Sequence, residues 1–564
     1  MKELLRSRKS ALAVLVFSSA GALAQDDPHA ACSAVGWVPR EILERPVALR
    51  TGIGNSHDPV TTGSKEAQAF YDQGLAYLHS YVWVEAARSF HEALRRDPDT
   101  ALAWVGLSRA YSGLEDPRAA RAAVVKAQER AGTASEREQR RIALRARQLE
   151  AMEELDDASR HLAYKKALDE ALAIDFGDAE LWCLRGNAEE ASAAGRGQRG
   201  GAASVAFYGQ ALALFPDHFA AHHYLIHSYE NINQVGLALE HGEVYARLAP
   251  QVPHAQHMWG HDLRRVGRVE DAIAAFTRAD ELEKAYYLAE SIPAGVDWHH
   301  PHNLDLLAGC YQHQGRMKTA ASYLREAAAS PAVTEYLEFN RKGWVGLLLA
   351  SRRHEEALAA ARELQQGKGT STRAVGHALA GHALLALGRL ADAEAELRSA
   401  QGELDALGED PAPARVRRSA VSPYVDGLRG EWLLRKGRRD EAREVLKDVQ
   451  KRIRAVPGPD AWTEALFRLE AIARVAGDVG DWELLDHTAR QMSDHDPAYG
   501  GTRYALGLVA EHRGDREAAR REFDAALGYW QKADPDLPEL TGARASLKKL
   551  AGTISPLPPR AGSE

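Results

Sequence analysis

The sharpest chemical signal in this sequence comes from two pairs of histidines, His223 with His227 and His257 with His261. Within each pair the spacing is i to i+4, which sets both imidazoles on one face of a helix. Between the pairs the offset is constant, 223 to 257 and 227 to 261, position for position. His254 and His302 lie one turn away in the same row, so six imidazoles gather across three successive helices. Neighbouring helix axes pack about 8–10 Å apart, a gap that two imidazole arms can close around one ion. Such a set, with carboxylates and without sulfur, suits zinc, copper(II), nickel or iron. Glu230 and Asp305 supply carboxylates, and Cys183, Glu190 and Arg264 share the row as further candidate ligands. A His-Glu-x-x-His protease helix spaces its histidines alike, but no glutamate follows His223 or His257, which excludes that chemistry.

Plainer readings stand beside this one. A histidine on a concave face also serves to hydrogen-bond a peptide or an acidic ligand. His222 is expected between packed helices, Met258 in the core, and His79 in packing or capping. Cys183 reads equally as a buried small hydrophobe. His382 occupies the same row in an isolated later helix and has no companions.

The elements that must carry this row repeat with a period of about 34 residues. Residues 67–100 give Gly74, Tyr77, Ala86, Phe90, Ala93 and Pro98, and residues 101–134 give Trp104, Tyr111, Ala120 and Ala127. Later copies give Gly260, Ala272, Phe276 and Ala279, then Tyr311, Ala320 and Ala327, then Gly381, Ala393 and Ala400. A late copy gives Gly507, Ala519, Phe523 and Ala526. Small residues let two antiparallel helices approach, and large ones fill the space between them. Each helix pair leaves a face uncovered, so neighbours must stack. The pattern is that of tetratricopeptide repeats. The expected fold is therefore an all-α solenoid of tetratricopeptide-type hairpins, a right-handed superhelix interrupted by insertions.

Three stretches carry a closer resemblance: His57-Asp-Pro-Val-Thr-Thr with Gly74-Leu-Ala-Tyr-Leu-His-Ser-Tyr, His222-His-Tyr-Leu-Ile-His-Ser-Tyr, and Pro253-His-Ala-Gln-His-Met-Trp-Gly-His. Over residues 55–330 the chain resembles a group of exported bacterial tetratricopeptide proteins with paired histidine motifs. The resemblance implies the repeat fold, an exported location, and metal or ligand binding in the central repeats. This chain has Trp259-Gly260 where the group more often has Pro-Ser, which shifts the expected start of that helix.

The remaining organisation follows from composition. Residues 1–24 read as a signal peptide, with Lys2, Arg6, Arg8 and Lys9 before the apolar run Ala11 to Ala24. A periplasmic or secreted protein follows. Residues 25–62 read as an irregular N-terminal segment and 63–402 as the repeat solenoid, with a flexible glycine loop at 195–201. Residues 403–420 read as a linker, 421–551 as C-terminal repeats and 552–564 as a disordered tail. Three cysteines, Cys32, Cys183 and Cys310, allow one bridge at most and leave its pairing open. A net charge of -8 gives no electrostatic case for nucleic acid, and no later stretch is apolar enough to span a membrane. Three functions remain: metal or ligand binding at the histidine row, a protein- or peptide-binding scaffold without metal, and a metal-dependent enzyme using Glu230 or Asp305 as acid or base.

Overall fold

The computed structural model describes residues 38–153, 157–332, 335–408, 412–456 and 458–552. The expected leader and nearly all of the expected tail lie outside them. Among the described residues all regular structure is helical, and successive helices pack as hairpins such as Lys65–His79 with Trp83–Arg96 and Pro253–Arg265 with Val269–Glu290.

The repeat positions do the packing expected of them. A Cβ added to Gly74 would lie 2.5 Å from the Phe90 ring, one on Gly260 2.8 Å from Phe276, and one on Gly507 2.6 Å from Phe523. These three rings are essentially inaccessible to solvent. The turn between the two helices of a hairpin recurs as regularly. It holds a residue of positive φ at Tyr81, Glu115, Asn233 and Arg352, and at Gly267, Gly315, Gly388, Gly437, Gly480 and Gly514. Tyr81 and Glu115, Asn233 and Gly267, and Gly480 and Gly514 are each one repeat period apart.

The stretches that break the repeat period carry helices of their own. Residues 136–153 form one helix whose arginines turn inward, Arg141 pairing with Asp178 at 2.6 Å and Arg145 donating to Ser108 at 2.9 Å. Residues 284–290 add two turns to the helix Val269–Glu290, and the chain then delivers Trp298 and His299 to the next helix, His299–His313. The glycine loop at 195–201 is packed rather than flexible. Gly197, at φ 96°, lies against the Tyr224 ring where no side chain would fit, and Asn231 holds the Gln198 carbonyl at 2.8 Å. Of the expected linker 403–420, residues 403–406 and 412–420 lie within the helices Leu390–Ala406 and Ala412–Arg435, with Pro413 in the first turn, where proline is tolerated.

The solenoid closes on itself, which the repeat pattern did not announce. Residues 38–64 run as a strap along the N-terminal repeats: Gln251 N–H donates to the Gly52 carbonyl at 2.8 Å, and Asn55 to the Asp217 carbonyl at 2.8 Å. At the other end the C-terminal hairpins return to the centre. Asp534 N–H donates to the Gly315 carbonyl at 3.0 Å, and Asp496 meets both Arg264 (3.1 Å) and His313 (3.2 Å).

Candidate metal centre

Two histidine triads form within this enclosure, each with its three ligand atoms within 4.8 Å of one another. The first is His223, His227 and His254. Helix Phe219–Asn231 carries His223 and His227 one turn apart, and helix Pro253–Arg265 brings His254 across the interface. His223 Nε2 lies 3.1 Å from His254 Nε2 and 3.2 Å from His227 Nε2. His223 Nδ1 lies 2.7 Å from the His79 carbonyl oxygen, which can only accept, so the proton sits on Nδ1 and the Nε2 lone pair faces its neighbours. Burial pushes the His223 imidazole down to about 3, so it is held neutral.

The second triad is His257, His261 and His302. His257 Nδ1 lies 3.0 Å from Asn303 Oδ1, and Asn303 donates its amide to the Phe276 carbonyl at 2.9 Å. That second bond fixes the amide orientation, so His257 donates from Nδ1 and keeps a lone pair on Nε2, a buried atom with no hydrogen-bond partner. Both ring nitrogens of His261 are likewise buried without a hydrogen bond. Burial, then the neighbouring imidazoles, hold His254 and His257 well below the ordinary histidine range. Asp460, at the start of the C-terminal helix Pro459–Asp478, lies 3.9 Å from His261 Nε2 and 3.7 Å from His302 Nε2.

Two more groups join the triads. His299 stands between them, its ring centroid 5.0 Å from His254 and 4.5 Å from His257. Its Nδ1 faces the Glu283 carboxyl, and its Nε2 is buried without a partner. Glu230, with both carboxylate oxygens buried and lacking hydrogen bonds, lies 3.9 Å from His227 Nδ1 and 3.7 Å from His261 Nδ1. It also presses on Asp262, whose carboxyl is raised well above its usual range by burial and by that neighbouring charge. Metal-ligating histidines characteristically hand one ring N–H to a carbonyl or carboxyl and turn the other nitrogen inward. His223, His257 and His299 each have such a partner on Nδ1.

The six histidines expected as ligands thus fall into these two triads, and Glu230 lies between them. They do not line an open groove: His223 and His257 are wholly buried and the other four are at most 5% exposed. The sequence placed them on an open concave face; in the structure the Tyr81 turn lies against the first triad and the helix Pro459–Asp478 brings Asp460 to the second. Asp305 stands apart, facing a cavity, with burial, reinforced by Asp460 and opposed by Lys342, raising its carboxyl to about 8. Cys183 is buried in the apolar core and Cys310 in another, both as free thiols. Glu190 accepts from Gly197 N–H in the glycine loop, and Arg264 is committed to Asp496. His79 pairs with Glu180 at 2.8 Å while its carbonyl orients His223. His222 faces His241 at 2.8 Å outside the cluster. A third group, Asp280, His300 and Glu326, already holds a cation, since Lys284 Nζ lies 3.0 Å from Asp280 and 2.9 Å from Glu326.

His299 and Asp460 escaped the sequence reading. His299 lies in the non-repeat segment 284–300, outside the repeat register, and Asp460 is brought in only by closure of the chain. The Asp297-Trp-His-His run, of which His299 is the third residue, was the one available hint.

No family model matches the chain, and no curated protein matches it. Among solved structures, YrrB, a TPR protein with an unusual peptide-binding site, is similar over 37% of this chain and 95% of its own, at 15% identity and a TM-score of 0.25. A human IFIT1 dimer with PPP-AAAA is similar over 77% and 91%, at 13% identity and TM-score 0.38. The APC/C hetero-tetramer Cut9-Hcn1 is similar over 86% and 96%, at 12% identity and TM-score 0.30. Likenesses this distant add nothing to the functional reading, which rests on the site. No helix among the described residues is long and apolar enough to cross a membrane.

Proposed function

We propose that this protein binds divalent transition-metal ions through two adjacent histidine triads enclosed in a tetratricopeptide solenoid. One observation carries the reading: His223 and His257 each donate Nδ1–H to an outward acceptor and turn an Nε2 lone pair toward two further imidazoles. His254 Nδ1, His257 Nε2 and both ring nitrogens of His261 are buried without hydrogen bonds, which is costly unless something satisfies them, since an unpaired buried polar group costs roughly 1–3 kcal/mol. An ion in the second triad would do so for His257 and His261, and one in the first would take the place of the contacts of His223 Nε2 with the His227 and His254 rings. Imidazole with carboxylate and no thiolate suits zinc, copper(II), nickel or iron. Glu230 and Asp460 would supply negative charge against the ions. The scaffold alternative is served less well by this row, because its imidazoles are buried.

The reading extends to export, for which the basic start and apolar run of residues 1–24 are the support. Mass spectrometry of native protein should find an N-terminus near Gln25.

The test of metal binding is stoichiometry. Protein stripped of metal and titrated with zinc near neutral pH should take up two ions per chain. His223→Ala with His257→Ala removes one ligand from each triad and should take up none. His382, held by Glu431 at 2.6 Å and a member of neither triad, is the control, and His382→Ala should still bind two. Absence of uptake by the unaltered protein sinks the proposal, as does equal loss in the His382→Ala protein.

A further inference from the structure

The two triads differ in what lies beyond them. The first is sealed by Tyr81, whose ring centroid lies 4.6 Å from His223, 5.2 Å from His254 and 6.0 Å from His227. The tyrosine is 2% exposed, and its hydroxyl donates to the Arg196 carbonyl at 2.8 Å, pinning the glycine loop over the same corner. It sits at φ 58°, in the turn position that six later hairpins fill with glycine and three with Glu115, Asn233 and Arg352. What sets Tyr81 apart is its ring, which lies against all three imidazoles of the triad.

The second triad borders a cavity of about 330 Å³, with His302 and Asp460 in its wall. That volume falls within the range of small-molecule sites, about 300–1,000 Å³. The wall away from the histidines is chiefly apolar, with Leu347, Phe467, Ile472 and Val475 among its residues. Polar groups also line it, His354, His382, Glu431, Arg468 and Arg474 among them, but most of the exposed wall is apolar. Gly346 faces the open space: a Cβ added there meets no atom within 4 Å. Enclosed sites are structural, whereas sites with one open position do chemistry or exchange ligands.

Building on the metal reading, we infer that the cavity binds a small, mainly apolar organic ligand that reaches the second triad's ion through an oxygen or nitrogen donor, while the first triad's ion is enclosed by protein alone. The cavity supplies the ligand's apolar contacts, His302 and Asp460 define the end at which its donor atom arrives, and Tyr81 denies the same approach to the first ion.

Cobalt(II) serves as a coloured substitute ion and 4-phenylimidazole as the probe, having an apolar ring and one nitrogen donor. Protein loaded with two cobalt ions should change its visible spectrum on adding the probe, by an amount corresponding to one of the two. His227→Ala should hold one cobalt and still respond, whereas His302→Ala should hold one and not respond. Gly346→Phe fills the cavity without touching either triad, so it should hold two cobalt ions and not respond. Gly346→Leu, a smaller filling, should weaken the response at least tenfold in probe concentration, and circular dichroism verifies that both variants fold. Two bound cobalt ions that ignore the probe in the unaltered protein overturn this inference and leave the metal reading standing, as does a full response in folded Gly346→Phe. Failure to bind cobalt at all overturns the metal reading and this inference with it.

Discussion

His257 and Asn303 are joined by a 3.0 Å hydrogen bond from imidazole Nδ1 to amide Oδ1, and the amide is itself pinned by the Phe276 carbonyl. The repeat thus uses its own core helix to choose the tautomer of a candidate ligand. Phe276 is the residue that fills the space left by Gly260, so the packing that defines the hairpin also orients the site.

Removing that partner gives the first prediction. Asn303→Leu keeps the volume but leaves His257 free to rotate and to change tautomer. Loss of such an outer partner typically costs about 10–100-fold in metal affinity, and competition titration with a chelator should show that loss at one of the two sites. Asn303→Asp, which still accepts from Nδ1, should retain binding. Equal affinities in all three proteins would show that the pair is only structural.

Phe90 offers a test of the repeat packing away from the site. Its ring lies in the space left by both Gly74 and Gly106 and has no exposed surface. Phe90→Ala should cost about 3–5 kcal/mol in chemical denaturation, the usual range for emptying such a position. Zinc stoichiometry should not change. A cost under about 1 kcal/mol would mean that neighbouring helices collapse into the space, contrary to the shape imposed by the glycines.

Burial also makes the protein acid-sensitive. His91, His241, His313 and His495, all outside the triads, are each pushed down to about 4, chiefly by burial. Unfolded, each titrates near 6.5, so between about 6.5 and 4 the unfolded chain binds more protons than the folded one. These four groups therefore lower stability as pH drops through that window and contribute nothing to its pH dependence above it, while Asp305, raised to about 8, works in the opposite direction and offsets part of the loss. Metal-free protein should melt at a lower temperature at pH 5 than at pH 7.5. A flat profile would contradict the neutral, buried state of these rings.

Closure of the chain depends on Asp496, which burial pushes up but which the His313 hydrogen bond and the Arg264 charge hold well below the usual carboxylate range. Removing one partner of a buried pair costs about 3–5 kcal/mol and here strands Arg264 under Trp462. Asp496→Ala should loosen the C-terminal hairpins, enlarging the radius of gyration in solution scattering while helical content holds. An unchanged radius would place the closure in the contacts near Gly315 instead.

How much of this was legible in the sequence depends on the range of the interaction. Gly260 with Phe276 and His223 with His257 are set by one period, and one period can be read along a chain. The second triad's Asp460 belongs to a helix several repeats beyond His261, and only the accumulated turn of the superhelix brings the two together. His299 was hidden for another reason: the two extra turns at 284–290 shift it out of register, so no repeat position predicts where it points. Burial of the row was missed because a repeat pattern specifies contacts between neighbours and is silent on what a closed superhelix folds over its concave face.

Tyr81 supplies the last prediction, since two opposing terms meet at one residue. Holding a non-glycine residue in the left-handed region costs about 1–2 kcal/mol, and six equivalent turns avoid that cost with glycine. Tyr81→Gly relieves the strain but removes a ring that is 2% exposed, and emptying a buried aromatic site typically costs about 3–5 kcal/mol. Metal-free Tyr81→Gly should therefore be less stable by roughly 1–4 kcal/mol, the difference of those terms. Its effect on the first triad should be kinetic. With the lid gone, a chelator should withdraw the more slowly exchanging of the two zinc ions at least tenfold faster, while the faster ion leaves at its former rate. Tyr81→Phe, which keeps the ring and loses only the bond to the Arg196 carbonyl, should lie close to the unaltered protein in both measurements. If Tyr81→Gly instead releases both ions at unchanged rates, the tyrosine fills space without guarding the triad, and the strain at that turn has another cause.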